Sequence, residues 1–453
     1  MQMRDQTNHL AAFAGMDVQC ALTLAAHVIG CLMLIARAGL ASDAPADQEP
    51  IRYSSPEVHD PIARLQERLD RGDAVLKFDR QHGYLRSVLE LLEVSVSSQG
   101  LVYSKTSFQR DRISPETPRA VYFGDDVYLG WVQYGEVVEV SAVDPQKGAI
   151  FYTLAQQPQE RPRFRRQTHE CLQCHDSSLS QGVPGHFVRS VYPDPRGQPI
   201  LSAGTFVTGH QSPLRERWGG WYVTGRHGAQ VHMGNLIVRD REQRERPEKI
   251  DLAAGGNLDS LQGECDITPY LAPTSDLVAL MVLEHQTQMH NLLTRANHQT
   301  RLALRDEAVL LKALGRDAPA RLDSTASRIR SVGEPLVRYL LFADEAPLLE
   351  PVSGSSAFAR DFAARGPRDA RGRSLREFDL SRRMFRYPLS YLIYSESFDG
   401  LPQEMQDYVF GRLWTILSGR ETSGKFERLS ADDRRAIIEI LRETKPGLPD
   451  EWR

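Results

Sequence analysis

Hydrophobic positions along this 453-residue chain change their spacing twice. Between Val94 and Ala155 they fall in short β-branched and aromatic runs: Leu101 to Tyr103, Ala120 to Phe123, Val127 to Val132, Val137 to Val140 and Ile150 to Leu154. Turn residues separate the runs at Gly124-Asp125-Asp126, Tyr134-Gly135 and Asp144 to Gly148, so this stretch is expected to be an antiparallel β meander. Ile62 to Leu76 and Gly83 to Leu92, just before it, carry helical spacing. Further on, Phe187 to Tyr192 and Pro199 to Leu201 flank the turn Asp194 to Gly197, and Trp221 to Thr224 and Val231 to Val238 flank Gly225 to Gly228, which predicts two hairpins. Beyond Pro269 the spacing becomes helical over Asp276 to Arg305, Glu307 to Leu314, Ser324 to Leu341, Pro402 to Leu417 and Ala431 to Thr444. Ser430 and Asp433 form a capping box at the start of the last helix, and Pro446 follows its end.

The expected class is therefore α+β, with an antiparallel β-rich N-terminal and central part followed by a helical C-terminal part. By segments the chain divides into 1–41, a signal peptide or membrane anchor; 42–60, a linker rich in Asp, Pro, Ser and Glu; 61–160, β-rich; 161–268, the cofactor-bearing region; and 269–453, mainly helical. The first segment rests on the uncharged run from Val18 to Ala36 and the small residues Ala38 to Ala41, which suit cleavage. Arg4 is its only early positive charge and Arg37 lies beyond the run, so an uncleaved anchor stays open. Lys+Arg total 55 against Asp+Glu 59, a net charge of −4, and neither half is strongly basic, which gives no argument for a nucleic-acid partner.

Chemistry is concentrated at Cys171-Leu172-Gln173-Cys174-His175. Two thiols at this spacing can each form a thioether to a vinyl group of one haem, and the histidine that follows can ligate its iron. A redox dithiol or half of a zinc site are the plainer meanings of C-x-x-C. Zinc would need a second ligand pair, and Cys20, Cys31 and Cys265 are unpaired in sequence; a redox dithiol would need a βαβ setting, whereas a basic, proline-bearing stretch from Arg161 to Arg166 precedes Cys171. The motif thus predicts one covalent haem c, with His175 as proximal ligand. Thioether haem is attached outside the cytoplasmic membrane in bacteria, which agrees with an export signal and predicts a periplasmic protein or one anchored to the outer face of that membrane. Cys265, left over, is expected to be an inert buried thiol.

For the second axial position the candidates are Met233 and His232, followed by His210 and His227, with His186, His285, Met289, His290 and His298 also downstream. In a strand only one of His232 and Met233 could face the iron, because neighbouring side chains point to opposite faces. Trp218, Trp221 and Tyr222, with Gly219 and Gly220, could lie on a porphyrin or form an ordinary core strand. Arg163, Arg165, Arg166 and Arg189 could pair with haem propionates, dock an acidic partner, or make a solvated basic face. Met281, His285, Met289 and Leu293 repeat at i, i+4, a stripe that is more often core than ligand.

The stretches CLQCH, GVPGHFVRSV, HQSPLRERWGGWYVTG and HMGN, with PRAVYFGDDVYLGW upstream and YLIYSESFDGLP and RAIIEILRETKPGLP near the C-terminus, resemble a family of exported bacterial proteins of unknown function. Members are cytochrome c domain-containing, with a single c-type haem motif inside a larger body, and the resemblance covers most of the mature chain. It implies haem binding and electron transfer at Cys171, Cys174 and His175, and no substrate. The leading expectation is an electron carrier serving a redox partner protein, tethered to the membrane through the N-terminal segment if that segment stays uncleaved. Two alternatives remain: a haem enzyme with an open distal site acting on peroxide or another small molecule, and a haem-bearing docking module of a membrane redox complex.

Overall fold

Seven antiparallel strands form the central sheet, in the order β6-β5-β4-β3-β2-β1-β9. The strands are β1 (Gly100–Val102), β2 (Arg119–Phe123), β3 (Val127–Trp131), β4 (Val137–Asp144), β5 (Gly148–Ala155), β6 (Arg165–Gln167) and β9 (Trp221–Tyr222). The computed structural model describes residues 45–315 and 321–452, so the apolar leader and the Cys20 and Cys31 thiols lie outside the described residues. Glu49–Arg453 is one compact unit. Among the described residues no helix is long and apolar enough to cross a membrane.

The meander follows the expected runs, with Phe151, Ser141, Tyr128 and Phe123 in one cross-strand row and Thr153, Glu139, Gly130 and Val121 in the next. Because strand side chains alternate, both rows lie on the same face. The opposite face, with Tyr152, Val140, Leu129 and Tyr122, is covered from the N-terminal side. There α1 (Pro61–Arg71) is capped by buried Asp60, whose carboxylate accepts from the Ile62 amide at 2.8 Å and from the Tyr152 hydroxyl at 2.6 Å. A second short helix, α2 (Leu85–Leu91), follows it.

The first face receives two covers. At the end near Gly124 and Pro145 it carries α5 (Leu277–Ala313); at the other end it carries the segment around α3 (Leu172–His175). The helix expected to break near Asp306 runs through, since no proline or glycine interrupts it. Its first half is buried on all sides, so its polar groups are matched individually: Gln286 donates to Gly124 O at 2.7 Å and accepts from Tyr391 at 2.6 Å. The Met281, His285, Met289, Leu293 stripe is core, each residue almost fully buried. The helix α4 (Arg241–Glu245) is a surface turn, while α6 (Asp323–Leu340), α7 (Phe358–Ala364), α8 (Glu396–Asp399), α9 (Gln403–Leu417) and α10 (Ala431–Thr444) build the helical layer around α5. Ser430 and Asp433 form the reciprocal capping box that their spacing predicts.

The two later hairpins are not formed as expected. The strand β7 (Val188–Val191) pairs with β8 (Thr205–Thr208), and Pro193 and Pro199 meet only in an isolated bridge, because prolines have no amide to extend a ladder. Trp221–Tyr222 leaves its expected partner and extends the main sheet beside β1, while β10 (Gly225–Arg226) pairs with β11 (Ser353–Gly354). Residues 231–238 contain no strand, so the alternation invoked for His232 and Met233 does not operate. Segments 61–160 and 161–268 share the central sheet, and the helical segment 269–453 joins them in one core.

Candidate functional site

Three residues after β6 the chain turns onto the sheet face, and Cys171 begins the single turn α3. Cys171, Cys174 and His175 stand at i, i+3 and i+4, hence on one side of that turn. Both thiols are free; Cys171 is half-buried and Cys174 exposed. Burial, reinforced by the Glu139 and Glu170 carboxylates, pushes the Cys171 thiol up to about 11. A reactive redox dithiol needs the opposite shift, toward thiolate at neutral pH.

His175 is held from three directions. Its Nδ1 lies 2.8 Å from the Gly185 carbonyl, so Nδ1 carries the proton and the lone pair is on Nε2. The Gly185 amide returns a bond to the His175 carbonyl at 2.9 Å. Phe187 stacks on the ring at 5.1 Å and 30°, and Phe151 of β5 touches it at 4.8 Å. Burial lowers its affinity for a proton, which keeps the imidazole neutral. This is the usual preparation of a metal-binding histidine, in which the far nitrogen is fixed by a backbone carbonyl. The donor set therefore fits haem iron with two adjacent tethering thiols. Among the described residues no three of His, Cys, Asp and Glu gather to hold a metal ion, so the single imidazole and the thiol pair are what the site offers.

His186 backs this arrangement. Its Nε2 meets the Ser141 hydroxyl at 2.7 Å, its ring lies 4.2 Å from Tyr128 and 6.4 Å from His175, and its Nδ1 is buried without a partner. Asn291 of α5 clasps the His186 backbone on both sides, accepting its amide at 3.0 Å and donating to its carbonyl at 2.6 Å.

The distal candidates are placed elsewhere. Met233 is buried with its sulfur 3.6 Å from the Ser190 hydroxyl. His232 packs at 4.6 Å against His227 and 5.4 Å against Trp218, and its Nδ1 accepts from the Gly234 amide at 3.0 Å. A cleft of about 420 Å³ opens beside His232, Asn235 and Asp251, but neither the two thiols nor His175 lines it. His227 Nε2 accepts from Asn257, His290 and His298 bond to the Asp125 and Gln146 carbonyls, and Met289 is core. His210 and His285 face each other Nδ1 to Nδ1 at 2.8 Å in the helical layer. Thus the structure brings Cys171, Cys174 and His175 together and does not bring His232 or Met233 to them.

Of the aromatic run, Trp218 is fully buried, the Trp221 indole donates to Arg189 O at 3.0 Å, and the Tyr222 hydroxyl donates to Pro115 O at 2.8 Å; these are core and sheet contacts. Arg163 pairs with Asp70, Arg166 donates to the Tyr53 and Ser55 carbonyls, and Arg189 donates to Thr205, which leaves Arg165 exposed on β6. Cys265 is free and half-buried, its thiol pushed up to about 12 chiefly by burial. Sequence reasoning missed Gly185, Phe151, Phe187, Ser141 and Asn291. The run Gly182 to Phe187 soon after the motif was the available signal for Gly185 and Phe187; the others come from distant elements and left none. Comparison with protein-family models, curated proteins and solved structures gives no match to this chain.

Proposed function

We propose that the chain is an exported single-haem c-type cytochrome that transfers one electron at a time, with Cys171 and Cys174 as the tethers and His175 as the proximal ligand. The observation that supports it most directly is the His175 Nδ1 contact with Gly185 O, on the same turn as two free thiols. When bound, haem would supply a one-electron couple at iron. The chain's own contribution is positional: Gly185 O keeps the proton on Nδ1, Phe187 and Phe151 fix the ring plane, and the buried environment favours a neutral imidazole. Exposure of Cys174 leaves this site at the surface, where a redox partner can approach.

Production with the leader intact, in a host with haem-ligation machinery, tests the proposal. The expected product keeps its haem through acid-acetone extraction and denaturing gels, and Cys171→Ala with Cys174→Ala loses it. A wild-type product that carries zinc and no haem would overturn the reading.

A second reading, a haem enzyme acting on peroxide or another small molecule, is favoured by one feature. The named distal candidates are buried and bonded or packed with other partners, so none of them, as placed, is assigned as a second ligand. Carbon monoxide separates the two. A high-spin ferrous spectrum that shifts with carbon monoxide supports the enzyme, and a low-spin spectrum indifferent to it supports the carrier.

A further inference from the structure

Arg119, at the start of β2, reaches across β3 on the same sheet face that carries the motif. Its path exists because residue 130 is glycine: a β-carbon there would lie 2.0 Å from Arg119 Nη2. Nη2 donates to Glu139 of β4 at 2.6 Å, with both side chains mostly buried, and Glu139 also accepts from Gln109 at 3.1 Å. The Arg119 Nε–H, in contrast, is buried without any partner. A buried guanidinium donor left unpaired is costly, so each such group needs a physical reason, and a bound acceptor is one.

Register places this donor next to the haem-attachment turn. Glu139 and Gly130 occupy the row adjoining Ser141 and Phe151, the residues that hold His186 and His175. Arginine suits this task because its planar fork can bind one carboxylate while another edge holds a second.

We propose that Arg119 anchors a propionate of the haem, with Glu139 on its other edge, and that its positive charge raises the potential of the iron. The inference rests on the haem reading above. It adds a residue distant in sequence to the arginines nearer the motif: Arg163 and Arg189 bond Asp70 and Thr205, Arg165 is exposed on β6, and Arg166, whose Nε is likewise buried without a partner, stands opposite Tyr152 on the other face of the sheet.

The test uses the full chain with its haem attached, in the variants Arg119→Gln, Arg119→Lys and Glu139→Gln. Heme staining on denaturing gels should be unchanged, since the thioethers do not depend on Arg119. Loss of the cation in Arg119→Gln favours ferric iron and should lower the equilibrium constant for one-electron reduction about tenfold, or about 59 mV. Glu139→Gln removes the competing anion and should raise it. A purely structural ion pair predicts that both variants, which break the same contact, move the potential alike. The propionate bending band in resonance Raman spectra should shift in Arg119→Gln. Arg119→Lys keeps the charge but lacks the Nε donor, so it should shift that band with a smaller change in potential; it also serves if Arg119→Gln does not fold. Unchanged potential and band in the foldable Arg119 variants, or shifts of the same sign in Arg119→Gln and Glu139→Gln, would overturn the inference. Absence of covalent haem in the wild type would instead overturn the haem reading.

Discussion

Gly185→Ala probes the clasp that fixes His175. A β-carbon at residue 185 would stand 2.1 Å from Asn291 Oδ1, 2.9 Å from its Cγ and 3.2 Å from the Ser180 β-carbon. The side-chain amide must therefore move, and with it go the 3.0 Å bond from the His186 amide and the 2.6 Å bond to the His186 carbonyl. Each backbone group left unpaired in this buried layer costs about 1–3 kcal/mol, so losing both should destabilise by roughly 2–6 kcal/mol. Urea denaturation should show a lower midpoint with an unchanged slope. Asn291→Ala removes the same two bonds and also vacates the colliding atoms. Adding Gly185→Ala to it should then cost less than about 0.5 kcal/mol, a strong departure from additivity. In haem-loaded protein the single variant should also raise the potential, because a displaced Gly185 carbonyl weakens the hydrogen bond that makes His175 a better donor to ferric iron. A Gly185→Ala protein as stable as wild type, or additive costs in the double variant, would refute the account of the clasp.

Other consequences are open to direct measurement. Arg217→Met leaves the Glu284 carboxylate without its 3.2 Å partner in a fully buried site and should cost about 3–5 kcal/mol in chemical denaturation; the double variant with Glu284→Gln should recover much of it. Burial raises the Glu345 carboxyl to about 7 from its ordinary 4.5, so between those values the folded protein holds a proton that the unfolded chain has released. Its contribution is fully present below about 4.5 and is lost as pH rises through about 7; Glu345→Gln should flatten the fall in urea midpoint across that window. Met233→Leu, at a buried methionine bonded to Ser190, should cost less than about 1.5 kcal/mol and leave the haem spectrum unchanged; loss of a sulfur-to-iron band would place Met233 at the iron instead.

Local geometry was legible in the sequence because it depends on neighbours along the chain. Cys171, Cys174 and His175 occupy one helical turn, so their spacing alone puts them on one side, and the Ser430 to Asp433 cap closes within a turn for the same reason. The meander was equally readable, since antiparallel strands joined by short turns pair with the next run in sequence. What failed were pairings across longer separations. The run at Trp221 carries the same alternation whether it meets residues 231–238 or β1, and only burial of Trp221 beneath α5 and of Tyr222 on the other face decides for β1. The surroundings of His175 lie in this second class. Phe151 and Ser141 come from the sheet, Asn291 from α5, and Arg119 from a strand far upstream; each would serve as an ordinary core or surface residue in another fold. Periodicity records which face a side chain takes on its own element, whereas the identity of what it meets is set by how elements stack to bury their apolar faces, and that is decided only in three dimensions.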